Sequence, residues 1–367
     1  MTRVTDLPVI IEALPAGARE RVQRLFSIEL VEGRTDPPPE MHDWLRRQFG
    51  SVEAVRHQTI VRIVNRWTLE GALISPLRGL RPIEAHGLES MAAEVERTRG
   101  GPFCDPEHDT PADPWGRVRG PHTVTGANAA MYDGLHDVII LDHHDPLAFD
   151  QERVVELLAV GREWAERAAQ EDPTARNYLL IWNCGWRAGG SVVHGHAQVL
   201  LGRGDHYPQI ERRRRDAIAY AAETGAPYYQ DLVAAHRDLG LVIVEAGGVA
   251  VLASLTPVKE RELLIIGPPG MDERDPAFSA QVARSVVAYR DVAGVRSFNL
   301  ALHRPPLGTP ADDALWAGIG PVVHLVDRGD PGSRASDIGA MELYATSVVG
   351  GDPFDLVERL RDAVASG

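Results

Sequence analysis

The sequence is poor in cysteine, in positive charge and in long apolar runs, and each shortage excludes something. Two cysteines, Cys104 and Cys184, among 367 residues cannot build a disulfide framework, which fits a reducing compartment. No stretch reaches the roughly 20 apolar residues of a membrane-spanning helix. The first residues lack the basic-then-apolar plan of a secretory signal, so the expected location is cytoplasmic. A net charge of −14 argues against a nucleic-acid backbone or an anionic membrane as the main partner. Small phosphorylated ligands need only a local basic cluster and stay possible. The length allows two ordinary domains or one large duplicated one.

What the chain does have is one dense run, Asn183-Cys184-Gly185-Trp186-Arg187-Ala188-Gly189-Gly190-Ser191-Val192-Val193-His194-Gly195-His196-Ala197-Gln198. Side chains of an extended strand repeat with period two, so His194, His196 and Gln198 form a polar ridge on one face. Upstream, Gly189-Gly190-Ser191 offers a backbone that can approach a phosphate closely. A neutral imidazole attacks phosphorus, and a neighbouring amide can hold the phosphoryl oxygens. That spacing points to covalent nucleotidyl transfer through His196. A His-x-His pair also serves as two metal ligands or as satisfied strand side chains.

The pattern Asn183, Gly185, Gly189, Ser191, His194-x-His196-x-Gln198 resembles the active-site segment of galactose-1-phosphate uridylyltransferases. These form the branch of the histidine-triad superfamily in which glutamine replaces the third histidine. The resemblance implies that His196 becomes nucleotidylated, assisted by Gln198 and Ser191, with His194 holding the strand. It covers about 300 residues, beginning near Thr59. From His57 to Glu84 the sequence reads as two strands ending in a basic loop, where Arg78 and Arg81 precede Pro82. The resemblance makes these arginines contacts for the substrate phosphates, which guanidinium forks suit. Asn128 falls in a similar base-pocket loop before Gly134-Leu135-His136-Asp137-Val138, and with Asn183 it is expected to hold the base or ribose. Ala129 and Ala130 stand where bulky aromatics usually follow, so the pocket is wider and admits a purine. Glu342 matches a hexose contact, although Ser336, Asp337 and Met341 replace its usual neighbours. Gly101 replaces the first cysteine of a Cys-x-x-Cys zinc element. Cys104 with His194 and His144 then falls short of the four ligands of a structural zinc site, and the chemistry requires no cofactor.

Residues 1–50 read as helical pieces around Pro37-Pro38-Pro39, and 150–170 as a helix with apolar residues near a 3.6 repeat. Arg212-Arg213-Arg214-Arg215 reads as a solvated face, or as a steering patch at a site rim. The second half repeats the first in outline, with His324 alone on its equivalent ridge. The expected fold is α+β, a duplicated histidine-triad-like fold of antiparallel sheets with packed helices. The division is an N-terminal extension (1–56), a catalytic half (57–238) and a substrate-binding half (239–367). The expected reaction is ping-pong transfer of a nucleoside monophosphate between a nucleotide sugar and a sugar phosphate. A phosphorylase or hydrolase of nucleotide sugars or dinucleoside polyphosphates is the alternative, or a nucleotide-binding regulator whose catalysis has lapsed. A homodimer is implied by the family, in which each site borrows the neighbour's C-terminal segment.

Overall fold

Two sheets carry the architecture in the computed structural model, which describes residues 2–82 and 91–365. Ile83 and Glu84, the end of the expected basic loop, lie outside them. In chain order the strands are β1 (Phe26–Arg34), β2 (His57–Asn65), β3 (Gly71–Ile74), β4 (Thr123–Ala127), β5 (His136–Leu141), β6 (Ala175–Cys184) and β7 (His196–Arg203). Then follow β8 (Val242–Ala246), β9 (Val249–Ala253), β10 (Glu260–Ile266), β11 (Phe298–His303), β12 (Val322–Asp327) and β13 (Ser347–Val349). The larger sheet has the order β4-β5-β7-β6-β11-β12-β10-β9-β8, and its pairings are all antiparallel.

That order contains the duplication. Strands β4 and β5, the Gln151–Glu171 helix, then β6 and β7 make one unit; β9 and β10, the Pro276–Asp291 helix, then β11 and β12 make the second. The units join where β6 pairs with β11, Ile181 opposite Ala301. The fold is thus α+β, as the sequence leads one to expect. Strands β5 and β9 are buried at every position, the mark of strands covered on both faces.

The Gln151–Glu171 helix starts where Asp150 accepts the Arg153 backbone N–H at 2.9 Å, an N-cap that satisfies an otherwise orphaned donor. Val154, Leu157, Leu158, Gly161, Trp164, Ala165 and Ala168 are its buried stripe, spaced by threes and fours. At Gly161 a Cβ would stand 2.8 Å from the Tyr178 hydroxyl, so this position allows the helix to lie close on β6. Among the described residues no helix is long and apolar enough to cross a membrane.

One stretch departs from the sequence reading. Residues 26–34, expected within helical pieces, form β1 and pair with β2 over nine residues, from Phe26 opposite Asn65 to Arg34 opposite His57. Only Phe26 of β1 is buried, so tertiary pairing decides the conformation more than local pattern does. β13 adds in parallel to β3, Ser347 opposite Ala72. The smaller sheet, β1-β2-β3-β13, therefore draws on all three segments into which the sequence was divided at 56/57 and 238/239, and it carries the Arg78 loop at the end of β3.

Candidate active site

The ridge exists, and it is buried. His196 opens β7, opposite Ile140 of β5, and Gln198 lies opposite Val138. His194 precedes the strand but shares its face: the Phe103 ring packs edge-on against both imidazoles, 5.0 Å from His196 and 6.1 Å from His194. His196 Nδ1 lies 2.8 Å from the His194 backbone carbonyl. A carbonyl only accepts, so Nδ1 carries the proton and Nε2 keeps its lone pair. Burial pushes the His196 pKa down, opposed by that backbone bond, because a low-dielectric site disfavours the imidazolium. The ring is neutral and oriented, with its lone pair at Nε2.

Gln198 is oriented by His136, a residue to which the sequence reading gave no role. The Tyr132 backbone N–H donates to His136 Nδ1 at 3.0 Å. Since that nitrogen accepts, Nε2 bears the hydrogen and donates to Gln198 Oε1 at 2.8 Å. The carboxamide oxygen is thereby used, and the Gln198 NH2 is left to donate to a ligand. Burial lowers the His136 pKa, which keeps this relay neutral. Asn128 adjoins it: Oδ1 accepts the Ala130 N–H at 2.9 Å, and Nδ2 stands 3.3 Å from His136 Nε2. Both of those nitrogens are donors, so no bond forms between them and the Asn128 amide protons remain available. The structure thus brings His194, His196, Gln198 and Asn128 together.

A second cluster adjoins the first. Cys104 Sγ lies 3.3 Å from His144 Nδ1 and 3.7 Å from His194 Nδ1, and the two Nδ1 atoms are 3.3 Å apart. Each ring's other nitrogen faces a carbonyl, His194 Nε2 to Leu141 at 2.9 Å and His144 Nε2 to Val95 at 2.8 Å. Those carbonyls place the protons on Nε2, so two lone pairs and a sulfur converge on one point, with their tautomers fixed as metal-binding histidines require. Cys104, His144 and His194 form the one group among the described residues whose donor atoms could hold a metal ion. Imidazole and thiolate suit zinc, and the set supplies three of the four ligands of a structural site.

The loop between β6 and β7 is locked to the second unit. Gly189, at φ 91°, caps the Trp186–Ala188 turn in a conformation that favours glycine. Asn183 Oδ1 accepts from Asn299 Nδ2 at 2.7 Å, and the same amide donates to the Ala188 carbonyl at 2.7 Å. Arg328 donates to Asn299 Oδ1 and grips both Asp337 oxygens. Arg187 donates to the carbonyls of Arg328, Ser333 and Ala335. Ser191 is exposed at the end of this loop. Neither Asn299 nor Arg328 stands out in sequence, since each depends on a partner more than 100 residues away or on a facing strand.

Arg78, Arg81 and Glu342 meet elsewhere, in a cavity of about 470 Å³ lined also by Arg187, Lys259 and Arg328. Arg78 follows Pro76 in a short helical turn after β3. Glu342 accepts the Gly339 N–H at 2.9 Å; burial raises its pKa, but hydrogen bonding and the Lys259 and Arg78 charges outweigh this and leave it lowered. His196 and Gln198 do not line this cavity. A cavity of about 520 Å³ beside the β8–β9 turn contains none of these groups. The Arg212–Arg215 run proves structural in part: Arg213 pairs with Glu70, and Arg214 and Arg215 pair with Glu211.

No protein-family model matches the sequence, and no curated protein matches it significantly. Solved structures do match in fold. An ADP-glucose phosphorylase from Arabidopsis thaliana is 17% identical with a TM-score of 0.62, over 82% of this chain and 97% of that one. A GalT-like protein from the same plant is 18% identical, TM-score 0.58, over 72% and 92%. A uridylyltransferase is 16% identical, TM-score 0.56, over 84% and 99%. The architecture of this chain is accordingly the duplicated α+β fold that the GalT-like protein, the ADP-glucose phosphorylase and the uridylyltransferase share.

Proposed function

We propose that the protein is a nucleotidyltransferase that carries a nucleoside monophosphate on His196. The observation that carries this reading is the anchored ring: Nδ1–H on the His194 carbonyl at 2.8 Å, with the lone pair held at Nε2. Nε2 attacks the α-phosphorus of a nucleotide sugar. A phosphorus–nitrogen bond forms, the phosphorus–oxygen bond to the sugar phosphate breaks, and that oxygen leaves with the electron pair. An oxygen of a second sugar phosphate then attacks the same phosphorus and frees the imidazole. The Gln198 amide and Ser191 hold the phosphoryl oxygens, Gly189 lets the backbone approach, and Asn128 and Asn183 hold base or ribose. Arg78 and Arg81 take the neighbouring phosphate and Glu342 the sugar.

Cys104, His144 and His194 would hold zinc, whose contribution when bound is to tie the Phe103 loop to the start of β7. His194 positions the strand with or without it, through the Leu141 carbonyl. Because the Arg78 cavity and the His196 face are separate in one chain, we further propose a homodimer in which one copy's cavity completes the other's site.

A second reading is favoured by the base loop and by one structural relative. Ala129 and Ala130 are small and exposed, which admits a purine, and one protein of this fold is an ADP-glucose phosphorylase. Inorganic phosphate would then be the acceptor. The test is incubation with nucleotide sugars labelled at the α-phosphate. Acid-labile label on His196, discharged by a sugar phosphate or by inorganic phosphate, supports one acceptor or the other. A protein that traps no label from any base refutes the covalent reading.

A further inference from the structure

The chain contains 38 lysine and arginine residues, of which Lys259 is the single lysine. Arginine fills every other cationic position, including exposed ones where an ammonium would serve equally. Lys259 is itself buried, 8% exposed, on the wall of the Arg78 cavity. The two cations differ in shape: guanidinium is a planar fork, whereas ammonium is compact and carries three rotatable donors.

One of those donors has a hydrogen-bond partner. Lys259 Nζ donates to the Asp337 carbonyl and forms a looser ion pair with Glu342 Oε1 at 3.8 Å. The remaining donors are left for a ligand. The carboxylates around it are already occupied: Asp337 by Arg328, Glu260 by the Gly350 and Gly351 amides, Asp327 by the Gly329 amide. Arg78 and Arg81, by contrast, form no side-chain hydrogen bond or ion pair among the described residues. Six cationic side chains and five carboxylates line the cavity, so its formal charge is positive by one, and Arg78 and Arg81 are the cations left to a ligand.

The backbone beside Lys259 is also distorted. Arg261 takes φ 56°, uncommon for a residue with a side chain, and the β10–β12 register slips between Glu260 and Leu263. Bulges of this kind re-aim side chains near functional sites.

We infer that Lys259 is a specificity-determining residue that reads a phosphomonoester dianion, the phosphate of the acceptor, in the cavity it shares with Arg78 and Arg81. The acceptor role rests on the nucleotidyl-transfer reading; the phosphate site does not. Lys259 donates to the dianion while one of its hydrogens stays on the Asp337 carbonyl. A guanidinium at this position fills the space the phosphate needs.

The single lysine makes the test direct. The full chain is treated with pyridoxal 5′-phosphate and borohydride and mapped by peptide, the α-amine falling in a different peptide. Lys259 is expected to be modified, and inorganic phosphate or a hexose 1-phosphate to slow this about tenfold, as loss of a charge-assisted contact would require; the unphosphorylated hexose does not. In Lys259→Arg and Lys259→Met, the KM of the phosphorylated acceptor is expected to rise about tenfold. Unmodified Lys259, modification indifferent to phosphomonoesters, or a Lys259→Met enzyme with unchanged acceptor KM overturns the inference. If no variant or wild type forms nucleotidyl-His196, the transfer reading fails, and phosphate protection of Lys259 still decides the site.

Discussion

The two halves of the large sheet share a plan and differ in the polar residues set at equivalent positions. Val138 faces Gln198 across β5 and β7, as Leu264 faces His324 across β10 and β12. Counting from that pair, His196 corresponds to Val322, Gln198 to His324, and His136 to Glu262. Both halves carry a 2.8 Å hydrogen bond at the equivalent place, His136 to Gln198 buried in one and His324 to Glu262 part-buried in the other. The polar pair is thus a property of the shared architecture. The strand start is what separates the copies: an imidazole opens β7 where a valine opens β12. On the proposed reading, the polar pair alone does not mark the reacting half, and the residue at the strand start does.

The largest expected effect follows from that position. His196→Ala should abolish covalent labelling and lower turnover by about 10⁴-fold or more, measured by steady-state rates and α-phosphate label, while Val322→Ala changes rate less than about threefold. Unchanged turnover in His196→Ala would remove the proposed chemistry altogether. The two polar pairs should separate next. His136→Phe frees the Gln198 amide to rotate and is expected to lower kcat by about 10²-fold, whereas His324→Phe should lower Tm and leave kcat near normal. Equal losses of kcat would mean that both halves do chemistry.

The seam between the halves gives a smaller effect. Arg328→Met leaves the Asp337 carboxylate and Asn299 Oδ1 without their donor, and should cost about 2 to 4 kcal/mol by denaturant unfolding. A loss well below that would mean solvent reaches the seam.

The gentlest effect concerns Asp137, which occupies the place of Leu263 in the other half. Asp137 is fully buried, and burial, followed by the neighbouring Asp113 carboxyl, raises its pKa from 3.8 to about 8. The folded chain therefore holds a proton that the unfolded chain releases. Stability from this group is complete below pH 3.8 and is lost as pH climbs toward 8, by on the order of a few kcal/mol. Asp137→Asn, which is neutral throughout, should flatten that part of the stability profile. A mutant with the wild-type slope would assign the slope to other groups.

Much of this was legible in sequence because it is local. The alternation of His194, His196 and Gln198 fixes a shared face, and the 3.6 repeat at Val154, Leu157 and Leu158 fixes a helix. The duplication is visible as a repeated order of elements. The rest depends on chain segments distant in sequence. His136 acquires its role only when β5 pairs with β7, and Asn299 only when β11 lies beside β6. Cys104 and His194 are 90 residues apart with His144 between them, and the three converge only in the fold. Arg213 in the four-arginine run is taken by Glu70, 143 residues earlier, so charge pattern alone misreads it. Residues 26–34 become a strand because β2 offers an edge.

The amide of Tyr132 has one last implication. It is the fixed point from which the protons on His136 and the carboxamide of Gln198 are assigned, and it belongs to the main chain. Nineteen of the twenty amino acids would present the same hydrogen there, so this bond places no demand on the side chain at 132, whose ring packs 4.6 Å from the His136 imidazole. Proline alone would erase the donor, let the imidazole adopt either tautomer, and leave the glutamine with two competing orientations.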